Sequence, residues 1–157
     1  MTAVDKTIAM KLLEGRKVPY DVVTYPESER DAEVIAGIVG APPGQLFKTL
    51  VVAREGKKPL LVMIPADRQL DLKKLAQVTG DKKLHMASQT QAEALTGLQV
   101  GGISPLALLN KGFAILIDAS MAAQTHIYLS AGKRGVNLKV PVAALLQIIQ
   151  ARQVDVT

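Results

Sequence analysis

The sequence contains no cysteine and no tryptophan, and only three tyrosines, two phenylalanines and two histidines. Without thiols there can be no disulfide framework, thiolate zinc site, iron–sulfur cluster or cysteine nucleophile. The shortage of aromatics argues against a surface that reads single strands by base stacking, which interleaves rings with basic side chains. Long apolar runs are missing too: Lys, Arg, Asp or Gln interrupts every stretch well before the about 20 residues that a membrane-spanning helix needs. Residues 1–13 alternate charge with apolar side chains and lack the pattern of a signal peptide, so the expectation is a cytoplasmic protein with no membrane partner.

What is present is an ordinary globular composition. With 157 residues, 48% hydrophobic and 21% charged, the chain is expected to form a single α+β domain over 1–157 with a core of its own. Nineteen Lys and Arg against fourteen Asp and Glu give a net charge of +5. That balance favours a polyanionic partner without identifying one.

Apolar periodicity and punctuation predict the elements. Val4, Ile8 and Leu12 at helical spacing, closed by Gly15 as a left-handed cap, predict a helix over 4–14. Residues 20–25 are rich in β-formers and stop at Pro26. Ala32, Ile35, Ala36 and Val39 outline a second helix ending at Gly40. Runs 46–54 and 59–65, joined by Glu55-Gly56-Lys57-Lys58, predict a hairpin near the middle of the sheet. Asp71 caps a helix that ends at Gly80, with Leu72, Leu75 and Ala76 inward and Lys73 and Lys74 outward; Ser88 and Gln91 stand at capping-box spacing ahead of another, ending near Gly97. Residues 98–105 contain Gly101-Gly102 and end in Pro105, which predicts a shaped loop. Strands follow at 114–118, 126–130 and 136–140, and Pro141 opens a final helix with Val142, Leu145, Leu146 and Ile149 as its stripe.

Several chemistries fail on spacing. His85 and His126 have neither a second His nor a carboxylate at metal-ligand spacing, and read as strand-end or surface residues. No G-x-S-x-G elbow surrounds Ser104 or Ser130. Ala131-Gly132-Lys133-Arg134 lacks the first glycine and the terminal Ser or Thr of a phosphate loop, leaving a basic turn that is either solvated or a phosphate contact. Two features remain. Lys48 lies inside the apolar run 46–51, either as an edge lysine that prevents aggregation or as a cation lining a pocket. Alternation sets it opposite Phe47 and Thr49. The 101–105 loop either makes a tight turn or lets main-chain N–H groups approach a ligand.

Taken in order, Phe47-Lys48-Thr49-Leu50, Gln69-Leu70-Asp71-Leu72-Lys73-Lys74, Gly101-Gly102-Ile103-Ser104-Pro105 and Ser130-Ala131-Gly132-Lys133-Arg134-Gly135 resemble the YbaK family of trans-editing aminoacyl-tRNA deacylases. This family is related to the insertion domain of bacterial prolyl-tRNA synthetase. The resemblance covers nearly the whole chain. It implies a mixed, largely antiparallel, barrel-like sheet with flanking helices. The implied activity is hydrolysis of the ester between a wrong amino acid and tRNA, without metal, cofactor or protein nucleophile.

By the same resemblance, Lys48 holds the tRNA end or stabilises charge near the ester. Gly101 and Pro105 match the ends of the family's G-x-x-x-P loop, and the amides of Gly102, Ile103 and Ser104 grip the terminal adenosine and the scissile carbonyl. Tyr25 and Ser130 match pocket-lining positions, and Lys133 and Arg134 lie on a turn near the tRNA entrance. Asn137 stands where the cysteine-specific branch carries an acid, and the 25–31 loop is shorter than in that branch. The implied substrate is mischarged tRNA engaged by its acceptor end, foremost Cys-tRNA(Pro), with prolyl-tRNA synthetase as an associated partner. The alternatives are a deacylase for Ala-, Ser- or Thr-charged tRNA and a non-catalytic module that binds a tRNA end or nucleotide.

Overall fold

The computed structural model describes residues 5–157. It contains five short helices and eight strands, and the strands form two sheets. The larger has order β4-β2-β3-β5-β8, with β2 Phe47–Arg54, β3 Lys57–Pro65, β4 Leu84–Met86, β5 Ala114–Asp118 and β8 Arg152–Val154. The smaller has order β1-β7-β6, with β1 Asp21–Thr24, β6 His126–Ser130 and β7 Val136–Pro141. Pairing is antiparallel except for β3 with β5 and β5 with β8. The mixed α+β class is as expected. The barrel-like outline is not a closed barrel: among the described residues one isolated parallel bridge, Leu46 to Tyr128, links the two sheets.

The central position of the hairpin follows from its composition. Leu60 to Ile64 are all buried, because β3 is flanked by β2 and β5 and covered on both faces. The connection between β2 and β3 is tighter than the four residues expected. Lys57 and Lys58 already belong to β3, and Gly56 at φ +70° takes the left-handed position of a two-residue turn.

Three helices begin and end where their caps predict. Asp31 accepts from the amides of Glu33 and Val34 ahead of α2 Ala32–Val39, and Asp71 accepts from Lys73 and Lys74 ahead of α3 Leu72–Thr79. Ser88 and Gln91 complete a capping box on α4 Gln89–Thr96. Gly40, Gly80 and Gly97 close the three helices in the left-handed conformation.

The first helix departs from expectation. It runs Ile8–Gly15 with Thr7 as its cap, and it buries Ala9, Met10 and Leu13, whereas Ile8 is 67% exposed. Val4 lies outside the described residues. Gly15 is still helical, and the left-handed residue is Lys17 at φ 58°. The turn closes there because the Val18 amide reaches back to the Leu13 carbonyl at 2.9 Å. The final helix, α5 Val142–Ile148, buries Val142, Leu145 and Ile148, with Ile149 fully buried beyond it. The chain then returns as β8, an unanticipated three-residue strand beside β5. Asp118, 3% exposed, fixes this segment by accepting from the Val156 amide and the Thr157 hydroxyl, both at 3.2 Å. The largest apolar cluster draws on both sheets and on α1 and α5, including Phe47, Met63, Ile117, Leu129 and Leu138.

Candidate functional site

A cleft of about 550 Å³ opens where the two sheets meet. One wall is the N-terminal half of β2. Ladder alternation sets the direction of its main chain: Ala66 N–H donates to the Leu46 carbonyl at 2.8 Å, so residues 46, 48 and 50 face β3. Ala87 N–H donates to the Val51 carbonyl at 3.0 Å on the opposite edge, and β4 covers that edge only from Val52 onward. The main-chain groups of Thr49 are thereby left without a strand neighbour, along the cleft. Phe47 sends its ring into the core at 1% exposure, and half-buried Lys48 lines the cleft. The Lys48 ammonium has no ion-pair or hydrogen-bond partner among the described residues.

The smaller sheet contributes Tyr25, Ser130 and Asn137. Ser130 and Asn137 are cross-strand partners on β6 and β7. Asn137 is 4% exposed, a neutral amide at the cleft floor. Ser130 Oγ accepts from the Gly132 amide at 3.1 Å, and neither histidine lines the cleft, so no serine–histidine pair exists there. Burial pushes the Tyr25 phenol above its ordinary value, with a backbone hydrogen bond from Gly135 acting in the opposite sense. It is therefore a neutral hydrogen-bonding group at physiological pH.

The other wall is the 98–105 loop, which presents Val100, Gly101 and Ile103 to the cleft and then enters a 3-10 turn at Pro105–Ala107. Gly102 sits behind this surface: a Cβ there would lie 2.9 Å from Arg134 N and 3.0 Å from Lys133 C. The loop thus rests on the main chain of the 131–135 turn, and only glycine permits that approach. The Gly102 amide already donates to the Gln99 carbonyl at 2.8 Å, which removes it from the set of three ligand-facing amides. The Ile103 and Ser104 amides have no acceptor among the described residues. Ser104 is fully buried, and its Oγ has no partner.

Of the residues singled out from sequence, Tyr25, Lys48, Gly101, Ile103, Ser130 and Asn137 meet in the cleft lining; Gly102, Ser104, Pro105, Lys133 and Arg134 lie outside it. Lys133 is exposed. Arg134 is turned inward: its Nε donates to the Val100 carbonyl at 2.7 Å, and its Nη2 stands 3.5 Å from Glu93 Oε2. Sequence reasoning passed over Arg30, Thr49 and Glu93. Arg30 lines the mouth, exposed, with its Cγ 3.9 Å from where a Gly101 Cβ would stand, and its guanidinium has no acceptor among the described residues. Its place in a charged loop gave no signal to separate it from neighbouring solvated residues. Among the described residues no three His, Cys, Asp or Glu side chains converge as metal ligands, and no helix is long and apolar enough to cross a membrane.

This fold is that of an aminoacyl-tRNA editing domain. The chain belongs to that family, whose model matches residues 26–148. It is 36% identical over 154 residues to an Enterococcus faecalis protein named "Putative Cys-tRNA(Pro)/Cys-tRNA(Cys) deacylase EbsC", covering 97% of this chain and 93% of that one. It is 28% identical over 131 residues to the proline–tRNA ligase of Pelotomaculum thermopropionicum, covering 78% of this chain but only 22% of the ligase. A crystal structure described as "a putative trans-editing enzyme for prolyl tRNA synthetase" superposes with a TM-score of 0.81 at 26% identity, covering 96% of this chain and 94% of that one. Another, of "hypothetical protein APE2540", shares the fold with a TM-score of 0.86 at 21% identity over 96% and 99% of the two chains.

Proposed function

We propose that this protein, acting over its whole length as one unit, is a trans-editing deacylase that hydrolyses the ester of a mischarged aminoacyl-tRNA. The observation that carries this reading is the pairing of an unpartnered Lys48 with the unpaired Ile103 amide across a cleft in which no nucleophile is hydrogen-bonded to a base. An aminoacyl ester is already activated. Holding it and polarising its carbonyl is therefore a sufficient task for such a site.

In this reading the terminal adenosine and its ester lie along the open edge of β2. Lys48 compensates negative charge at the tRNA end or on the ester oxygen. The Ile103 amide of the loop donates to the carbonyl oxygen as it gains charge. Water, assisted by the neighbouring ribose hydroxyl, adds to the carbonyl carbon; the carbon–oxygen bond to the ribose then breaks, releasing the amino acid and a tRNA with a free terminal hydroxyl. With a cysteinyl substrate, the substrate's own thiol can attack in place of water. Arg30 at the mouth suits a phosphate of the acceptor end. Lys133, exposed on the adjoining turn, suits one further along. The similarity to proline–tRNA ligases supports tRNA(Pro) as the carrier and a synthetase as an associated protein.

Cys-tRNA(Pro) is the leading substrate, in keeping with the name of the Enterococcus relative. Asn137 favours a second reading, a preference for alanyl, seryl or threonyl esters. A buried amide offers a hydrogen bond to the aminoacyl group but not the compensating charge of a carboxylate. The test is deacylation of tRNA(Pro) charged with Cys, Ala, Ser or Thr. Selective hydrolysis, undiminished by a chelator, supports the reading and names the amino acid. A charged tRNA that survives longer with the protein than without it overturns the reading in favour of a binding module.

A further inference from the structure

The 98–105 loop has no regular secondary structure, yet the deacylase reading, on which this inference rests, requires its amides to hold one position. Both main-chain polar groups of Val100 are captured by side chains from other elements. Its N–H donates to Glu93 Oε2 on α4 at 2.8 Å, and its carbonyl accepts from Arg134 Nε on the 131–135 turn at 2.7 Å. The two side chains face each other at 3.5 Å and are only 33% and 18% exposed. A carboxylate on the N–H and a guanidinium on the carbonyl are the complementary choices, and each charge strengthens its own hydrogen bond. Val100 lines the cleft and immediately precedes Gly101, so this grip is one residue from the wall that faces the substrate.

We propose that Glu93 and Arg134 are positioning residues that act as one latch on Val100, holding the loop where Gly101 and the Ile103 amide meet the ester. Neither needs to touch the substrate. The close approach of Gly102 to the Arg134 main chain gives the latch a rigid backing, because Arg134 supplies the surface on which the loop rests as well as the side chain that clamps it. The pairing has an electrostatic corollary. Arg134 neutralises a carboxylate that would otherwise sit unpaired beside a site for a polyanion, so removing Arg134 alone harms binding more than removing both partners.

The test combines amide hydrogen exchange at Val100 with deacylation kinetics in E93A, E93Q, R134A and the E93A/R134A double variant. Glutamine keeps an oxygen to accept from Val100 N–H, so E93Q separates the clamp from the ion pair. The expected result is Val100 exchange faster by about tenfold or more in E93A and R134A, largely restored in E93Q, with amides of β3 unchanged. In step with this, kcat falls by tenfold or more in E93A with little change in KM and recovers in E93Q. KM rises most in R134A and less in the double variant. Unchanged Val100 exchange in E93A, or E93Q as impaired as E93A, overturns the latch. If wild-type protein hydrolyses none of the charged tRNAs, the deacylase reading fails by itself, and the exchange data still decide whether the loop is clamped.

Discussion

The two walls of the cleft obtain their order in different ways. The strand wall carries Lys48, Ser130 and Asn137 on β2, β6 and β7, each fixed by ladder pairing to a neighbour: Lys48 by Ile64, and Ser130 and Asn137 by each other. Its geometry is distributed over many main-chain bonds, and replacing one side chain leaves the others in place. The loop wall has no ladder. It depends on two side chains that grip Val100, on the Gln99–Gly102 turn and on a glycine packed against another main chain. A site can therefore be robust on one side and hinge on a few contacts on the other. Substitutions on the strand wall report chemistry, whereas substitutions on the loop wall report placement.

This contrast can be broken most directly at Lys48. Lys48→Ala should lower kcat/KM by about 100-fold, with an unchanged melting temperature because the strand pairing survives. A large loss of stability instead would mean that the strand wall is not independent of its side chains. Gly102→Ala is the counterpart on the loop wall. A Cβ at 2.9 Å from a main-chain nitrogen cannot be relieved by a side-chain rotation, so the loop must move. A fall in kcat of about tenfold or more, with KM much less affected, is expected from deacylation kinetics. Arg30→Ala sharpens the comparison at the mouth. It should raise KM several-fold and reduce the slope of log affinity against log salt by about one, with kcat retained. Asn137→Asp tests the floor: the ratio of rates on Cys- and Ala-charged tRNA should shift toward cysteine by several-fold.

The smallest effect lies at the far end of the hairpin, away from both walls. Asp81 pairs with Lys57 at 2.9 Å and Arg54 at 3.5 Å, and the hydrogen bond from Lys57 holds its carboxyl below the ordinary carboxylate value despite burial. A depressed folded-state value means that its contribution to stability is complete above about pH 3.9. That contribution is lost as pH falls through the lower folded value. Acid-induced unfolding should be less steep in Asp81→Asn, and deacylation at neutral pH should not change.

The same division between ladder and latch explains what could be read from the chain alone. Helices α2, α3 and α4 were legible because a local side chain, Asp31, Asp71 or Ser88, starts each one and a left-handed glycine stops it. The first helix differs from its apolar pattern in the face it buries and in where it ends. Apolar residues surround it, and its stop is a tertiary matter in which Lys17 adopts the positive φ that Gly15 was expected to supply. Strands β4 and β8 are three residues long and owe their existence to the edges they cover, which no local pattern records. The separation into two sheets is likewise a matter of pairing. At the site, Lys48 was conspicuous as a charge inside an apolar run. Glu93 was not, because its role is fulfilled through the main chain of Val100 and a partner far along the sequence. Arg134 was conspicuous for its charge, which suggested phosphate, while its actual partner is a carbonyl.

The isolated bridge between Leu46 and Tyr128 has a thermodynamic consequence. The cleft straddles that seam, with Lys48 and Thr49 on one side and Ser130 and Asn137 on the other. An occupant that contacts both sides fastens one sheet to the other, and by mass action its binding energy appears as stability of the folded chain. Acceptor-end analogues that resist hydrolysis should therefore raise the melting temperature and slow exchange in both sheets together, whereas a fragment that touches only the β2 edge should protect one.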